Sequence, residues 1–265
     1  MACRSKEKTE RVVEEIKRET GNPNVEFIQL DLLSLKSVKE FVDEFSSRHD
    51  KLHILLNNAG LMLSPFGLSE DNIEIQFATN HVGQFYLTTL LLPFLERTVP
   101  SRIVNVSSIA HNYAWSLDLD TINNESGFNS TLQYSRTKAC NILFARELNR
   151  RLQKKGVEHV YVNSNHPGVV RSELTRHMLS PGGVLNRIYD AVFTIPTEDG
   201  ALTQLFLATS PEVEEKKIRD QYYVPYARPG TVRGVATSSD KAVELWEYTE
   251  KLLQEKIPEY KGAGI

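Results

Sequence analysis

The chain has 265 residues, enough to bury a large core, with 40% hydrophobic and 25% charged residues and a net charge of −3. That balance excludes an electrostatic case for nucleic acid or an anionic membrane surface, and no apolar run reaches membrane-spanning length. Two cysteines, Cys3 and Cys140, with no C-x-x-C, exclude a disulfide framework and suit a reducing compartment, so a cytoplasmic location is expected.

Residues 9–20 place Val12, Val13 and Ile16 among charges, which predicts a surface helix closed by Gly21-Asn22-Pro23-Asn24. Residues 25–30 predict a strand stopping at Asp31. Ser34 then caps a helix with Leu35, Val38, Phe41, Val42 and Phe45 on one stripe. Residues 51–57 predict a buried strand ending in Asn57-Asn58-Ala59-Gly60. One long helix is expected over residues 72–97, carrying Asn80, and a strand over residues 102–106 running into Ser107-Ser108.

Residues 111–133 form a long polar connection of the kind that flanks active sites. The next helix carries Tyr134 and Lys138, with Ala139, Ile142, Leu143 and Leu148 on its apolar side. A strand over residues 159–163 precedes His166-Pro167-Gly168. Residues 171–195 read either as a lipophilic substrate lid, with Met178, Leu185 and Phe193, or as helix core. Tyr113 and Trp115 are candidates for the same mouth. Thr197 is expected to cap a helix through Leu207, residues 221–224 a short strand, and residues 239–256 a last amphipathic helix.

This alternation implies one α/β domain over residues 1–265, a doubly wound parallel sheet with helices on both faces. In such sheets ligands sit beyond the carboxyl ends of the strands. Asp31, Asn58, Ser108 and His166-Pro167-Gly168 all fall at such ends. Tyr134 and Lys138 are four apart, one turn above each other on a helix. A fixed positive charge beside a phenol favours the phenolate, so the pair is expected to exchange a proton with an alcohol or carbonyl near neutral pH. His166 reads as structural or exposed. His111 and His177 lack metal-ligand spacing, and no metal is expected.

With these residues assembled, the chain resembles the short-chain dehydrogenase/reductase family. The resemblance rests on Asn57-Asn58-Ala59-Gly60, Asn80-His81-Val82-Gly83, Val104-Asn105-Val106-Ser107-Ser108, Tyr134 to Lys138, and Pro167-Gly168-Val169-Val170-Arg171-Ser172. The long spacing from Ser108 to Tyr134, with Ala2-Cys3-Arg4-Ser5 and Leu245-Trp246-Glu247, is similar to the retinol dehydrogenase and WW-domain oxidoreductase branch. The resemblance implies a Rossmann-like fold and hydride transfer between a nicotinamide and a lipophilic alcohol, aldehyde or ketone. It implies Tyr134 as general acid/base and Lys138 as the residue that lowers its pKa and holds the nicotinamide ribose. Ser108 would bond the substrate oxygen, and Asn80 would order a relay water. Asp31 would meet the adenine. Asn58, Ala59 and Gly60 would pass the cofactor closely, and Pro167, Gly168, Val170 and Ser172 would contact the nicotinamide. Arg4, a basic residue at the end of an expected strand, favours NADP over NAD. A homodimer through the two long helices is expected by analogy.

The family begins with a strand, a T-G-x-x-x-G-x-G loop and a helix, whereas here no glycine precedes Gly21. The resemblance therefore implies a domain lacking that unit, about 30 residues or more, and weak NADP binding by residues 1–265. Two alternatives follow: a non-catalytic binding protein or fragment on the same scaffold, and a C=C reductase of the protochlorophyllide reductase type.

Overall fold

Caps and apolar stripes close into helices largely where the sequence predicts them in the computed structural model, which describes residues 1–170 and 194–265. The candidate lid's residues 171–193, including Ser172, His177 and Met178, lie outside the described residues. Strand β1 (Ala2–Cys3) leads into α1 (Lys6–Thr20), whose charged surface buries little beyond Thr9 and Val13. Gly21 ends α1 in the left-handed conformation, φ 69°, as a helix-terminating glycine does. β2 (Ile28–Gln29) is shorter than predicted. In α2 (Leu35–Arg48) the Ser34 hydroxyl accepts from the Ser37 amide, completing the predicted cap.

Strand β3 (Ile54–Asn57) departs from the prediction of a buried strand: Ile54 and Leu56 are each 40% exposed. β1 and β2 pair only with each other, and β3 begins a separate sheet in the order β3-β4-β5-β6-β7. No described strand lies against the outer edge of β3. The single helix expected over residues 72–97 is three pieces: α3 (Ile75–Phe77), a π-turn (Ala78–Val82) and α4 (Gly83–Glu96).

Strand β4 (Ser101–Val106) is buried at every residue. It pairs in parallel with β3 and with β5 (Val160–Asn165). Alternate side chains of a strand face opposite sides, and here the two sides meet different layers. Ile103 packs with Leu91, Leu95, Leu148 and Leu152 of α4 and of α5 (Ser130–Lys154). Its neighbour Val104 packs with Leu207 of α6 (Thr197–Thr209) and with Val213 of α7 (Glu212–Glu215). Thr197 opens α6 rather than capping it, because Pro196 takes the cap position. Arg102 reaches across to Glu214 at 2.5 Å and ties α7 to the sheet. β6 (Tyr222–Val224) continues the parallel order and β7 (Arg228–Pro229) closes it antiparallel.

The last helix, α8 (Ser239–Lys256), lies on α5. Trp246 is 2% exposed, with its ring 4.8 Å from Phe85 and 5.8 Å from Phe144. Arg151 stacks over the same indole at 4.5 Å. Burial of so large an aromatic makes α8 an integral layer of the core.

Candidate active site

The carboxyl end of β4 and the first turns of α5 meet in one cavity of about 390 Å³. The meeting is fixed by backbone groups. Lys138 Nζ donates to the Val106 carbonyl at 2.9 Å, and the Ser107 hydroxyl donates to the Lys138 carbonyl at 2.7 Å. The Ser107 amide donates to Asn165 at the end of β5. Tyr134, Lys138 and Ser108 therefore line one wall, with Asn58, Ala59, Gly60, His166, Pro167, Gly168 and Val170 around them.

The predicted pair is present: Lys138 Nζ lies 5.7 Å from the Tyr134 ring centroid. Its electrostatics differ from the prediction. Burial pushes the Tyr134 phenol above its ordinary value, and a hydrogen bond with Ser108 draws it part of the way back. Burial lowers Lys138 to about 8. At neutral pH the phenol keeps its proton. Lys138 has three N–H groups and spends one on Val106, so others are available toward the cavity.

Asn80 is completely buried on the π-turn. Its Oδ1 accepts from the Leu61 amide at 2.7 Å, and its Nδ2 donates to the Leu61 carbonyl and to Thr137 Oγ1. Its own carbonyl accepts from Asn141 Nδ2 at 2.7 Å. The side chain thus clamps the loop after β3 onto α5, and its two donors are already used. The carbonyl that Asn141 reaches lies within the π-turn. Gln84 extends the clamp by donating to Ala59, and it accepts from Asn141. Sequence reasoning missed Gln84 and Asn141, because their partners are remote in the chain.

The loop after β5 is equally constrained. The His166 amide donates to Tyr223 of β6. Gly168 has φ 97°, and a Cβ there would lie 2.5 Å from Ile195. A Cβ on Gly200 would lie 2.4 Å from Val170, so the start of α6 closes directly onto this loop. Thr197, Gly200, Ala201 and Gln204 form the facing wall. Their i, i+3, i+4, i+7 spacing is one face of a helix and was readable as such; its direction toward the cavity was not. His166 is 7% exposed, and burial lowers its imidazole to about 4, assisted by His111 and Lys138 nearby.

A second cavity of about 310 Å³ shares Ala59 and Gly60 with the first. It holds Arg4 and Asp31, with Ala2, Cys3, Leu30 and Leu32 as apolar lining. Arg4 is exposed, and Asp31 Oδ1 accepts from the Leu33 amide. A Cβ on Gly60, which lines both cavities, would stand 3.4 Å from Lys138 Nζ and from Asn80 Oδ1, so a larger side chain there would crowd both groups. The two cavities thus place a lysine and a phenol in one and an arginine and a carboxylate in the other, with Ala59 and Gly60 common to both.

Comparison with known proteins identifies what the chain is similar to. The family model for short chain dehydrogenases matches residues 1–181. Human retinol dehydrogenase 14 is 37% identical over 269 residues, covering 96% of this chain and 78% of that protein. The chloroplastic short-chain dehydrogenase TIC 32 A of Brassica napus is 37% identical over 241 residues, covering 88% of this chain and 73% of that protein. Among solved structures, an uncharacterised protein from Mycobacterium paratuberculosis superposes with a TM-score of 0.73 at 32% identity, covering 96% of this chain and 83% of that one. NADPH-bound carbonyl reductase from chicken fatty liver shares the fold at a TM-score of 0.59 and 18% identity, covering 84% of this chain and 83% of that one.

Proposed function

Because the chain belongs to the short-chain dehydrogenase family, in its retinol dehydrogenase-like branch, and is an oxidoreductase of Rossmann-like fold, we propose that it reduces a lipophilic aldehyde or ketone, or oxidises the matching alcohol, with NADP(H). The observation that supports this reading is the facing of Tyr134, Ser108 and Lys138 into one cavity that joins, at Ala59 and Gly60, a second holding Arg4 and Asp31.

The nicotinamide, when bound, gives or takes the hydride. Everything else falls to side chains of this chain. Tyr134, kept protonated by burial, donates its O–H proton to the carbonyl oxygen as negative charge grows there. Ser108 directs a hydroxyl at the same oxygen and opposes that charge; its Oγ is oriented by the Ala110 amide at 3.2 Å. Lys138 presents its remaining N–H groups to the ribose hydroxyls. Asn80 acts by fixing the loop at Leu61 rather than by ordering water with its side chain. Arg4 pairs with the 2′-phosphate, and Asp31 and the apolar residues around it take the adenine. Val170, Pro167 and Gly168 border the nicotinamide end.

The test uses lipophilic aldehydes, ketones and enones with NADPH or NADH in excess. Tyr134→Phe is expected to lower kcat about 10²- to 10⁴-fold while NADPH binding, followed by fluorescence titration, stays unchanged. Full turnover in that variant would overturn the acid role, and turnover of enones alone would move the reading to C=C reduction.

A further inference from the structure

His111 is fully buried, three residues after Ser108 in the turn Ile109–Tyr113. Its Nδ1 lies 2.7 Å from the Ser108 carbonyl oxygen. A carbonyl can only accept, so Nδ1 carries a proton. Its Nε2 lies 3.4 Å from the Arg233 amide, which can only donate, so Nε2 is the lone-pair nitrogen. The two contacts together select one neutral tautomer. The ring is held edge-on to Tyr222 of β6, 4.9 Å between centroids.

The segment at residue 233 is pinned to the same turn by other contacts. The Val235 amide donates to the Ala114 carbonyl, and a Cβ on Gly234 would lie 2.7 Å from that oxygen. The serine turn, the end of the sheet and the approach to α8 thus converge on one imidazole.

We propose that His111 is a positioning residue for Ser108: its Nδ1–H tautomer binds the Ser108 carbonyl and, through Nε2, locks the serine turn to the segment before α8. This rests on the reading of Ser108 as the group that bonds the substrate oxygen. Without the imidazole, the Ser108 carbonyl keeps only the His111 backbone amide as donor, and the turn loses its tie to residue 233.

Two measurements test it. In protein labelled with ¹⁵N-histidine at pH 7, the His111 ring is expected to show protonated Nδ1 and unprotonated Nε2, a readout independent of turnover; the opposite tautomer would overturn the proposal. His111→Phe is expected to lower kcat about tenfold to a hundredfold, with KM for the carbonyl substrate changed less than about threefold. His111→Asn, which restores an N–H near the Nδ1 position, should recover most of that loss. In a Ser108→Ala background, His111→Phe should cost less than about twofold more. A multiplicative loss there, no loss in His111→Phe alone, or no recovery by asparagine would each overturn it. Wild-type kcat in Ser108→Ala would instead strike at the reading of Ser108 itself, and the proposal would fall with it.

Discussion

Tyr134 and Lys138 stand one helical turn apart, yet burial moves their protons in opposite directions. Desolvation disfavours whichever form is charged, so it raises the phenol and lowers the ammonium to about 8. The spacing told which groups would meet; it could not tell how much water would be left around them. The lysine's value carries its own consequence. Below about pH 8 Lys138 is a cation with three donors, and above it the charge is lost. NADPH affinity is therefore expected to weaken as pH rises through that value. Lys138→Arg keeps its charge throughout, so its affinity, though lower, should stay flat across the same range. Isothermal titration at several pH values measures both; flat wild-type affinity to well above pH 9 would contradict the assignment.

At the scale of elements, the interrupted helix is the main departure from the predicted pattern. Residues 72–97 have apolar character enough for one continuous helix, but Asn80 has to reach the loop at Leu61, and the π-turn is where it does so. Gly83 then opens α4 at a point of close backbone approach: a Cβ there would lie 2.6 Å from the Leu32 carbonyl and 3.1 Å from Ala78 O. Backbone on both sides cannot yield as a flexible side chain would. Gly83→Ala is expected to lower stability by about 1–3 kcal/mol, like other overpacked sites. The urea midpoint reads this directly, and a wild-type midpoint would show that α4 can slide away from Leu32.

For the whole molecule, the division of the strands between two sheets sets the exposed surface. Ile54 and Leu56 sit on the same side of β3, each 40% exposed, on a strand whose outer edge faces no other described strand. Such an edge invites pairing with other chains, and lysine on an edge suppresses it. Replacing both residues by lysine is expected to slow heat-induced aggregation, followed by light scattering, while leaving the urea midpoint nearly unchanged. Faster aggregation would mean that the edge is covered in solution. On the helix layer, α8 lies along α5 with Trp246 against Phe85 and Phe144, so pairing of two copies through α4 and α5 would have to use the surface α8 leaves uncovered. Among the described residues, no helix is long and apolar enough to cross a membrane.

By itself the sequence determined most of the elements and many of the residues that line the cavity. Helical stripes, the Ser34 cap, the Gly21 stop and the i, i+4 pair of Tyr134 and Lys138 are local properties, carried by residues close together in the chain. Motif order was enough to bring Ser108, Asn58 to Gly60, and Pro167 to Val170 to the same end of the sheet. Only the tertiary structure decided that α6 walls the cavity, that Asn80 is spent on a loop, and that His111, without any telling spacing, sits on the serine turn. Each of these depends on burial or on a partner remote in the chain. Burial and hydrogen bonding to such partners are set by how layers pack, and no local pattern encodes the packing of a distant layer.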